Sequence, residues 1–265
     1  MKQGHLTGTA IVTGASSGIG REIARDLARR GNEVVLVARS KDKLDELAAE
    51  IGKNARVLPA DLSHRPARAA LVEQLADLGI EADILVNNAG LSTMGTVAAS
   101  DPEAEINMIE VDVVAVADLC SRLLPGMVAR GRGAVLNVAS TAAFQPLPGQ
   151  AGYGASKAFV LSYTQSLAGE LRGTGVTATA LCPGPVHTGF GERAGFELHD
   201  AEDALPKFMW VDAAKVAQLA VEGMDAGRLV VIPGAANRIG SVLAQIAPRS
   251  LLVPLLARNH PALKP

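Results

Sequence analysis

The sequence predicts an α/β fold in which one doubly wound, parallel sheet of seven strands carries helices on both faces. Two observations predict it. Short apolar, β-branched segments alternate with helical patterns, and several of these segments are apolar at nearly every position. The alternation is typical of βαβ units, and continuous apolarity is typical of parallel strands that are covered on both faces. The 265 residues fit one domain of this kind.

The segments predicted as strands are short and rich in Val, Ile, Leu and Ala. In chain order they are 9–14, 33–39, 55–61, 83–90, 133–140, 177–184 and 229–234. The helical patterns between them are 19–30, 41–51, 65–78, 103–129, 151–172 and 213–226. One catalytic domain is therefore predicted over 1–234, with a long loop at 189–210 that is typical of a lid, followed by an apolar extension at 235–265.

The overall charge and the cysteine count exclude several classes of function. A formal charge of -2 lacks the basic excess that nucleic-acid binding needs. Cys120 and Cys182 are too few for a disulfide framework, and each is predicted to be a buried small hydrophobe. Residues 1–8 lack the apolar core of a secretory signal, and no apolar run is long enough to span a membrane. We expect a cytoplasmic protein, and no metal site is predicted.

A glycine-rich turn follows the first predicted strand and opens the first predicted helix. Its glycines allow a sharp turn and bring backbone N–H groups close to a pyrophosphate, and the helix N-terminus adds a favourable dipole. The strand before it and the helix after it are the context in which such a turn binds a dinucleotide. The residues expected to contact the cofactor are Gly14, Ser16, Ser17, Gly18, Ile19 and Gly20.

The end of the second predicted strand indicates which dinucleotide binds. An NAD-binding protein would place a carboxylate there for the ribose hydroxyl, but this chain has Ala38. Arg39 and Ser40 follow it and offer donors that suit a 2′-phosphate. The alternative is that Arg39 is a solvated residue at a strand end. We predict NADP(H).

Ser140, Tyr153 and Lys157 are the predicted reacting groups. Tyr153 and Lys157 are four residues apart on a helical pattern and so share a face, and Ser140 ends the fifth predicted strand. A free phenol is a poor base at neutral pH, but a nearby ammonium would lower the pKa of Tyr153 towards working pH. Tyr153 would then donate and accept a proton, while the Ser140 hydroxyl would bind the substrate oxygen.

With the glycine turn, this Ser and the Tyr-x-x-x-Lys pair resemble the short-chain dehydrogenase/reductase family over roughly residues 7–234. The resemblance implies a Rossmann-type fold and the interconversion of a ketone and a secondary alcohol by hydride transfer, with Lys157 also holding the nicotinamide ribose. It implies a homodimer or homotetramer assembled through 103–129 and 151–172. The further cofactor contacts that it implies are Asp61, Leu62, Asn88, Ala89, Gly90, Tyr153, Lys157, Pro183, Gly184, Val186 and Thr188. His187 is interpreted as a loop residue, because Tyr153 already fills the role of proton carrier.

The chain departs from the family at Asp112, which stands where many members have an Asn whose main-chain carbonyl holds a water beside the Lys. The favoured interpretation is an intact relay, because every residue has a carbonyl. The alternative is an ionised, buried carboxylate that supports the Lys157 ammonium and offsets its effect on Tyr153. We expect reduced but real activity.

Two apolar regions lie outside the strand–helix alternation. The 189–210 loop suggests a lipophilic substrate such as a fatty-acyl, steroid-like or polyketide-type molecule, unless it packs on its own core. Its apolar residues are Phe190, Phe196, Leu198, Leu205, Phe208, Met209 and Trp210. The tail has Ile239, Val242, Leu243 and Ile246 at helical spacing. We favour packing of the tail on protein over contact with a membrane surface.

Other functions compatible with the fold are a non-catalytic NADP(H) sensor or regulator, a structural dimerisation module, and an epimerase or dehydratase that uses a bound cofactor. A sensor needs no proton donor, so the retention of Ser140, Tyr153 and Lys157 favours the oxidoreductase.

Overall fold

The chain folds as a Rossmann-type α/β protein around one parallel, seven-stranded sheet, which confirms the predicted fold class. The computed structural model describes residues 7–190, 206–259 and 263. The strands are β1 (Thr9–Thr13), β2 (Glu33–Val37), β3 (Ala55–Val57), β4 (Ala82–Asn87), β5 (Gly133–Val138), β6 (Val176–Leu181) and β7 (Val230–Val231). They lie in the order β3-β2-β1-β4-β5-β6-β7, and every neighbouring pair is parallel.

Helices connect the strands and cover both faces of the sheet. They are α1 (Gly18–Arg29), α2 (Lys41–Ile51), α3 (Arg65–Asp77), α4 (Pro102–Ile109), α5 (Ala115–Arg130), α6 (Ala151–Glu170), α7 (Ala213–Asp225), α8 (Ala235–Ile246) and α9 (Arg249–Asn259). Aspartates begin two of them: Asp101 accepts from the Glu103 N–H, and Asp212 accepts from the N–H groups of Ala214 and Lys215. Such caps satisfy amides that the first helical turn leaves without partners.

The central strands bury both of their faces, which explains their continuous apolar sequence. Ile11 and Val12, adjacent in β1, belong to different hydrophobic clusters on opposite sides of the sheet. The cluster around Val12 includes Ile23 of α1 and Val216 of α7, and the cluster around Ile11 receives residues of α3 and α5. Side chains alternate between the two faces of a strand, so each position meets a core.

The outer strands are shorter than the apolar runs from which they were predicted. The predicted strand 55–61 is reduced to Ala55–Val57, and 229–234 is reduced to Val230–Val231. Pro233 follows β7 closely, and proline cannot donate a ladder hydrogen bond. Beyond β3, the N–H groups of Leu58 and Ala60 still donate to the carbonyls of Leu36 and Ala38 on either side of Pro59, but no regular strand forms there. The apolar run therefore continues past the point where regular pairing ends.

The predicted helix 103–129 is interrupted. Helix α4 passes into a π-helical turn, Glu110–Val114, before α5 begins. A π turn inserts one residue into the helical repeat, which hydrophobic periodicity alone does not reveal, and such turns often occur at functional sites. This turn buries Asp112.

The strand order reverses between β1 and β4: β2 and β3 are added on one side of β1, and β4 to β7 are added on the other. In a doubly wound sheet, the carboxyl ends of the strands at this reversal form the ligand-binding crevice. The glycine turn after β1 and the 88–90 segment after β4 lie there.

Candidate active site

The glycine turn between β1 and α1 lies against the end of β4. A Cβ atom at Gly14 would approach the Ala89 Cα to 2.8 Å, and one at Gly20 would approach the Asn88 Nδ2 to 2.2 Å. Gly14 also has a φ of +65°, which disfavours other residues. The close approach and the backbone conformation together require glycine in this turn.

Thr13 and Asn88 join the turn to the neighbouring strand by hydrogen bonds. The Thr13 hydroxyl donates to the Val86 carbonyl at 3.1 Å and accepts from the N–H groups of Asn88 and Ala89, both at 3.0 Å. The Asn88 Nδ2 donates to the carbonyls of Thr13 and Gly14 at 3.0 and 3.3 Å. The Asn88 side chain, which was predicted to contact a cofactor, holds the backbone of the glycine turn by these two hydrogen bonds.

The first residues of α1 complete the predicted phosphate-binding surface. Ser17 is the N-cap residue, and its side chain makes no capping hydrogen bond. Ile19 packs against the sheet core. Gly18 has a φ of +56°, and a Cβ there would come within 2.9 Å of the Thr188 Cβ. The turn therefore meets the predicted nicotinamide-side segment as well as β4.

The ends of β2 and β3 bring a cation beside a carboxylate. Arg39 and Ser40 are exposed, and Leu62 is buried. Burial raises the pKa of Asp61, but hydrogen bonds from Ser63 and the positive charge of Arg39 outweigh it and hold that pKa below its usual value. Asp61 stays ionised, and the charge of Arg39 acts on it at the carboxyl edge of the sheet.

Ser140, Tyr153 and Lys157 come together at the carboxyl end of β5. The Lys157 Nζ lies 5.5 Å from the centre of the Tyr153 ring and 3.4 Å from the Val138 carbonyl oxygen. Ser140 begins a 3₁₀ turn, Thr141–Phe144, where its hydroxyl oxygen accepts from the Ala142 N–H at 3.1 Å. A hydrogen bond from Ser140 also acts on the Tyr153 hydroxyl. Three residues that are distant in sequence thus form one cluster.

Asp112 contacts this cluster through its side chain. Its Oδ2 lies 2.8 Å from the Lys157 Nζ, and its Oδ1 accepts from the Leu91 N–H at 2.7 Å. Both partners of the ion pair are almost fully buried. A Cβ at Gly90 would approach the Lys157 Nζ to 3.2 Å, so glycine leaves room for the pair. The π turn therefore carries a carboxylate to the lysine, which is the second of the two interpretations that the sequence left open.

The pKa values in the cluster change the expectation for the phenol. Burial raises the pKa of Tyr153 above its usual value; the Lys157 ammonium and the Ser140 hydrogen bond lower it, and the Asp112 charge raises it. Burial also disfavours the Lys157 ammonium, but the neighbouring negative charge of Asp112 raises the pKa of Lys157 overall. The expected lowering of the Tyr153 pKa by Lys157 is therefore wrong as a net effect in this structure. Burial is the largest contribution to the Tyr153 pKa, and the Asp112 charge adds a smaller one in the same direction.

The segment after β6 forms the opposite wall. The Thr188 hydroxyl donates to the Val186 carbonyl at 3.4 Å, and the His187 ring stacks on Trp210 with 4.2 Å between centres. A Cβ at Gly184 would approach Asn237 to 2.5 Å, so α8 packs closely here. Pro183, Gly184, Val186 and Thr188 thus follow β6 at the carboxyl edge of the sheet, where Thr188 lies against Gly18 of the glycine turn.

Only part of the predicted lid can be placed. Phe190 packs on Tyr153, with ring centres 5.9 Å apart, and Pro206 precedes a 3₁₀ turn, Lys207–Met209. Residues 191–205, which include Phe196, Leu198 and Leu205, lie outside the described residues.

The sequence did not predict the contacts made by two groups of polar residues near the site. Asn87 and Asn137 face each other on β4 and β5, where the Asn87 Nδ2 donates to the Asn137 Oδ1 at 2.9 Å. Arg68 is almost fully buried beside Leu62 and pairs with Asp118. A polar residue at matching positions of two apolar strands would have signalled the first group. Arg68 gave no such signal, because its spacing fits an ordinary exposed helix position.

Among the described residues, no cluster of three or more His, Cys, Asp or Glu side chains could hold a metal ion. No helix in the described part of the chain has the length and apolar character needed to cross a membrane. Cys120 and Cys182 are buried free thiols, and burial raises the pKa of Cys120 to about 11 and that of Cys182 to about 12.

Comparison with known proteins gives consistent matches. The family model described as short chain dehydrogenase matches residues 8–196. An uncharacterised oxidoreductase of Staphylococcus epidermidis is 36% identical over 202 residues, which cover 74% of this chain and 88% of that protein. A short-chain dehydrogenase from Sphingobium yanoikuyae in complex with NADPH is 35% identical, with a TM-score of 0.79, over 89% of this chain and 92% of that one. A 7β-hydroxysteroid dehydrogenase structure is 26% identical, with a TM-score of 0.82, over 96% of this chain and 97% of that one.

Proposed function

Because the chain belongs to the short-chain dehydrogenase/reductase family, we propose that it is an NADP(H)-dependent oxidoreductase that interconverts a ketone and a secondary alcohol. Membership makes it an oxidoreductase acting on the CH–OH/C=O pair. The observation that carries the finer proposal is the cluster of Ser140, Tyr153 and Lys157 beside the glycine turn, with a buried carboxylate behind the lysine.

The four side chains have different tasks. In the reducing direction Tyr153 donates its phenolic proton to the substrate oxygen, and in the oxidising direction its phenolate accepts that proton. The Ser140 hydroxyl donates a hydrogen bond to the same oxygen as charge develops on it. Lys157 remains an ammonium because Asp112 raises its pKa, and its charge favours the phenolate. The bound nicotinamide would supply or accept the hydride.

The raised pKa of Tyr153 suits reduction. A phenol that keeps its proton at neutral pH is ready to donate it to a developing alkoxide. Oxidation requires the phenolate first, so we expect its rate to rise with pH until Tyr153 is ionised. The native enzyme should therefore reduce ketones more readily at neutral pH and oxidise alcohols more readily at alkaline pH.

The preference for NADP(H) is proposed from Ala38 and Arg39 at the end of β2. No carboxylate stands there to repel a 2′-phosphate, and the exposed Arg39 lies close enough to influence Asp61. The Sphingobium relative was solved with NADPH. Replacing Arg39 by Ala should weaken NADPH binding about tenfold or more, the value of a charge-assisted hydrogen bond, and leave NADH binding unchanged. Equal losses for both cofactors would exclude a role of Arg39 in phosphate recognition.

A lipophilic substrate is proposed from the apolar side chains in the described part of the 189–210 loop, one of which packs on Tyr153. Phe190 packs on the tyrosine ring, Trp210 stacks on His187, and Phe208 is exposed nearby in the sequence. One structural relative is a 7β-hydroxysteroid dehydrogenase, whose name indicates a polycyclic alcohol. We propose a fatty-acyl, steroid-like or polyketide-type substrate.

The decisive experiment follows NADPH absorbance over a panel of ketones with native protein and Tyr153→Phe. We expect native turnover, fastest with long-chain or polycyclic ketones, and a loss of about 10²–10⁴-fold in the variant, with NADPH binding retained. Tight NADPH binding without turnover of any ketone would support the alternative, a non-catalytic sensor or regulator. Preferential turnover of small polar sugars would exclude the lipophilic substrate but not the reaction.

Assembly and location are proposed as well. Apolar residues of α4 and α6 are exposed, among them Ile106 and Phe159, which suits a homodimer or homotetramer built on these helices. Two buried free thiols are compatible with a reducing compartment, and we propose the cytoplasm. Light scattering on a sizing column measures the assembly: a monomer would exclude it, and loss of assembly in Phe159→Ser would assign the face.

A further inference from the structure

Helix α8 exposes its apolar residues on the side facing away from the domain. The side that packs on the protein carries Asn237, Ser241 and Ala244, all buried. The opposite side carries large apolar residues that are more than half exposed. They are Ile239, Val242, Leu243 and Ile246. A surface helix normally shows the reverse distribution, with polar residues outward.

Helix α9 extends this surface. Two residues separate it from α8, and Leu251 and Leu255 are 70% and 58% exposed, with Val253 also exposed. Isolated exposed hydrophobic residues are ordinary, but a run of them over two consecutive helices marks an interaction site. We refer to the exposed apolar residues of α8 and α9 together as the tail surface.

The charge of this part of the chain is entirely positive. Residues 226–265 contain no Asp or Glu and five basic residues. These are Arg228, Arg238, Arg249, Arg258 and Lys264. Since the whole chain has 25 basic and 27 acidic residues, residues 1–225 hold 20 basic and 27 acidic residues. An acidic body thus carries a basic, apolar end.

The tail surface is fixed beside the candidate active site. Arg249 donates to the Phe144 carbonyl, at the end of the 3₁₀ turn that Ser140 begins, at 3.4 Å. The Asn237 Nδ2 donates to the Met209 carbonyl at 2.9 Å, next to Trp210. Both anchors use backbone carbonyls of segments that border the crevice.

The sequence favoured packing of the tail on protein, but Ile239, Val242, Leu243 and Ile246 are exposed. From these exposed apolar residues and the unbalanced positive charge, we propose instead that the tail surface docks on an anionic lipid membrane. Aliphatic side chains with arginines and without carboxylates are the composition by which interfacial helices bind such a surface. Docking would hold the crevice next to the lipid, which gives the proposed lipophilic substrate a short route; only this consequence depends on the proposed function.

Self-association is the competing occupant, and the charges disfavour it. A symmetric dimer through the tail surface would bring the arginines of two copies together with no carboxylate between them. A contact between the basic tail of one copy and the acidic body of another is head-to-tail, which continues into a chain unless it closes into a ring. An anionic bilayer meets neither difficulty.

The experiment measures flotation of the full-length protein with vesicles of phosphatidylcholine alone and of phosphatidylcholine with phosphatidylglycerol. We expect binding to the anionic vesicles that weakens with added salt. Ile239→Ser/Leu243→Ser should weaken it about tenfold or more, because two aliphatic side chains leave the interface. Arg238→Gln/Arg258→Gln should weaken it about 25-fold, close to fivefold per arginine.

A matched control removes exposed apolar residues elsewhere. Leu78→Ser/Val128→Ser changes two exposed residues at the ends of α3 and α5 and should bind vesicles as the native protein does. Thermal unfolding and NADPH binding of each variant establish that it is folded, and no turnover is needed. Absence of native binding to anionic vesicles would overturn the proposal, as would equal losses in the control. The proposal would also be overturned if Ile239→Ser/Leu243→Ser changed the oligomeric state but not the flotation. That result would assign the tail surface to contact with a second copy of the chain.

Discussion

Two buried cations, Lys157 and Arg68, both pair with carboxylates of the π-helical turn Glu110–Val114, yet their surroundings differ. The Lys157 side chain is 6% exposed and pairs with Asp112; the Arg68 side chain is 2% exposed and pairs with Glu110. Burying a charge is costly unless it is paired and hydrogen-bonded, so each site must compensate its cation. The two sites differ in how completely the charge of the cation is compensated, and this difference distinguishes the structural site around Arg68 from the candidate catalytic site around Lys157.

Arg68 is surrounded by acceptors. It donates to the Leu62 carbonyl at 2.7 Å, to Asp118 at 2.8 Å and to Glu110 at 3.1 Å. Burial raises the pKa of Asp118, but hydrogen bonds from Arg68 and Arg122 outweigh it and hold that pKa below its usual value. A rigid, planar guanidinium with fixed partners joins α3 to α5 and leaves little for a ligand to bind.

Lys157 has weaker compensation. In the described part of the chain it meets one carboxylate, at 2.8 Å, and one carbonyl, of Val138, at the longer distance of 3.4 Å. An ammonium has three donors, so it retains capacity towards the crevice, where Tyr153 and Gly90 border it. The π turn gives one carboxylate to each cation, but Arg68 has two further acceptors from other segments at 2.8 Å or less, whereas Lys157 has one carbonyl at 3.4 Å and keeps donor capacity for a ligand.

The largest expected effect comes from Lys157→Met. We expect kcat/KM for alcohol oxidation to fall by about 10²–10⁴-fold, because Tyr153 loses the one positive charge among the described residues that lowers its pKa. Asp112 is then buried without its cation, and burial raises its pKa. A carboxyl whose pKa is higher in the folded state stabilises the fold below that pKa and loses the contribution as pH rises. Melting temperatures of the variant, measured against pH, should therefore fall on the alkaline side relative to native protein.

Arg68→Met should lower the stability of the protein and leave its turnover nearly unchanged. The substitution removes three hydrogen bonds of a buried guanidinium and leaves the Leu62 carbonyl without this partner, which should cost about 3 kcal/mol of unfolding free energy, or roughly 10 °C in Tm for a domain of this size. The turnover per folded molecule should stay within about twofold of native, since no Arg68 contact reaches Tyr153 or Ser140. A variant of native stability that loses turnover would break the distinction between the two sites.

Asp112→Asn is expected to move the pH profile of alcohol oxidation. The Asp112 charge raises the pKa of both Tyr153 and Lys157, so its removal lowers both. Oxidation needs the phenolate, which sets the acid limb, and the Lys157 ammonium, whose loss sets the alkaline limb. Both limbs should therefore move to lower pH, and oxidation at neutral pH should increase severalfold. Ketone reduction at neutral pH should change little, since Tyr153 is already protonated there.

A pH profile of oxidation that is displaced in Asp112→Asn would support the electrostatic role of the carboxylate. The Leu91 N–H can keep its hydrogen bond in this variant, because an amide oxygen can also accept it. A profile that superimposes on the native one would show that the carboxylate has no electrostatic role. Asp112 would then act as in the first interpretation of the sequence, through its main-chain carbonyl alone.

The fold was largely predictable because parallel strands leave a clear pattern in sequence. Strands buried on both faces are apolar throughout, and the alternation with helices then implies the sheet. The boundaries failed where another constraint ended an apolar run. Pro233 follows the short strand β7, only isolated hydrogen bonds continue past β3 around Pro59, and a π turn divided the predicted helix 103–129.

The candidate site was predictable in its members but not in its electrostatics. Ser140, Tyr153 and Lys157 follow from spacing, and the structure brings them together. The net rise in the Tyr153 pKa could not be predicted, since it depends on burial and on a carboxylate that a π turn carries to Lys157. Sequence spacing describes which groups lie near one another, but not how much solvent they lose.

Glu110→Gln has the smallest expected effect and provides the control for Asp112→Asn. The two residues are two apart in the same turn, and each substitution replaces a carboxylate by its amide. The Glu110 side chain is 38% exposed, so solvent screens its pair with Arg68, and about 1 kcal/mol or less of stability should be lost. Because Asp118 still holds Arg68, the pH profile of oxidation should superimpose on the native profile. If Glu110→Gln moved that profile as far as Asp112→Asn does, the effect would belong to the charge of the turn as a whole, and Asp112 would lose its particular link to Lys157.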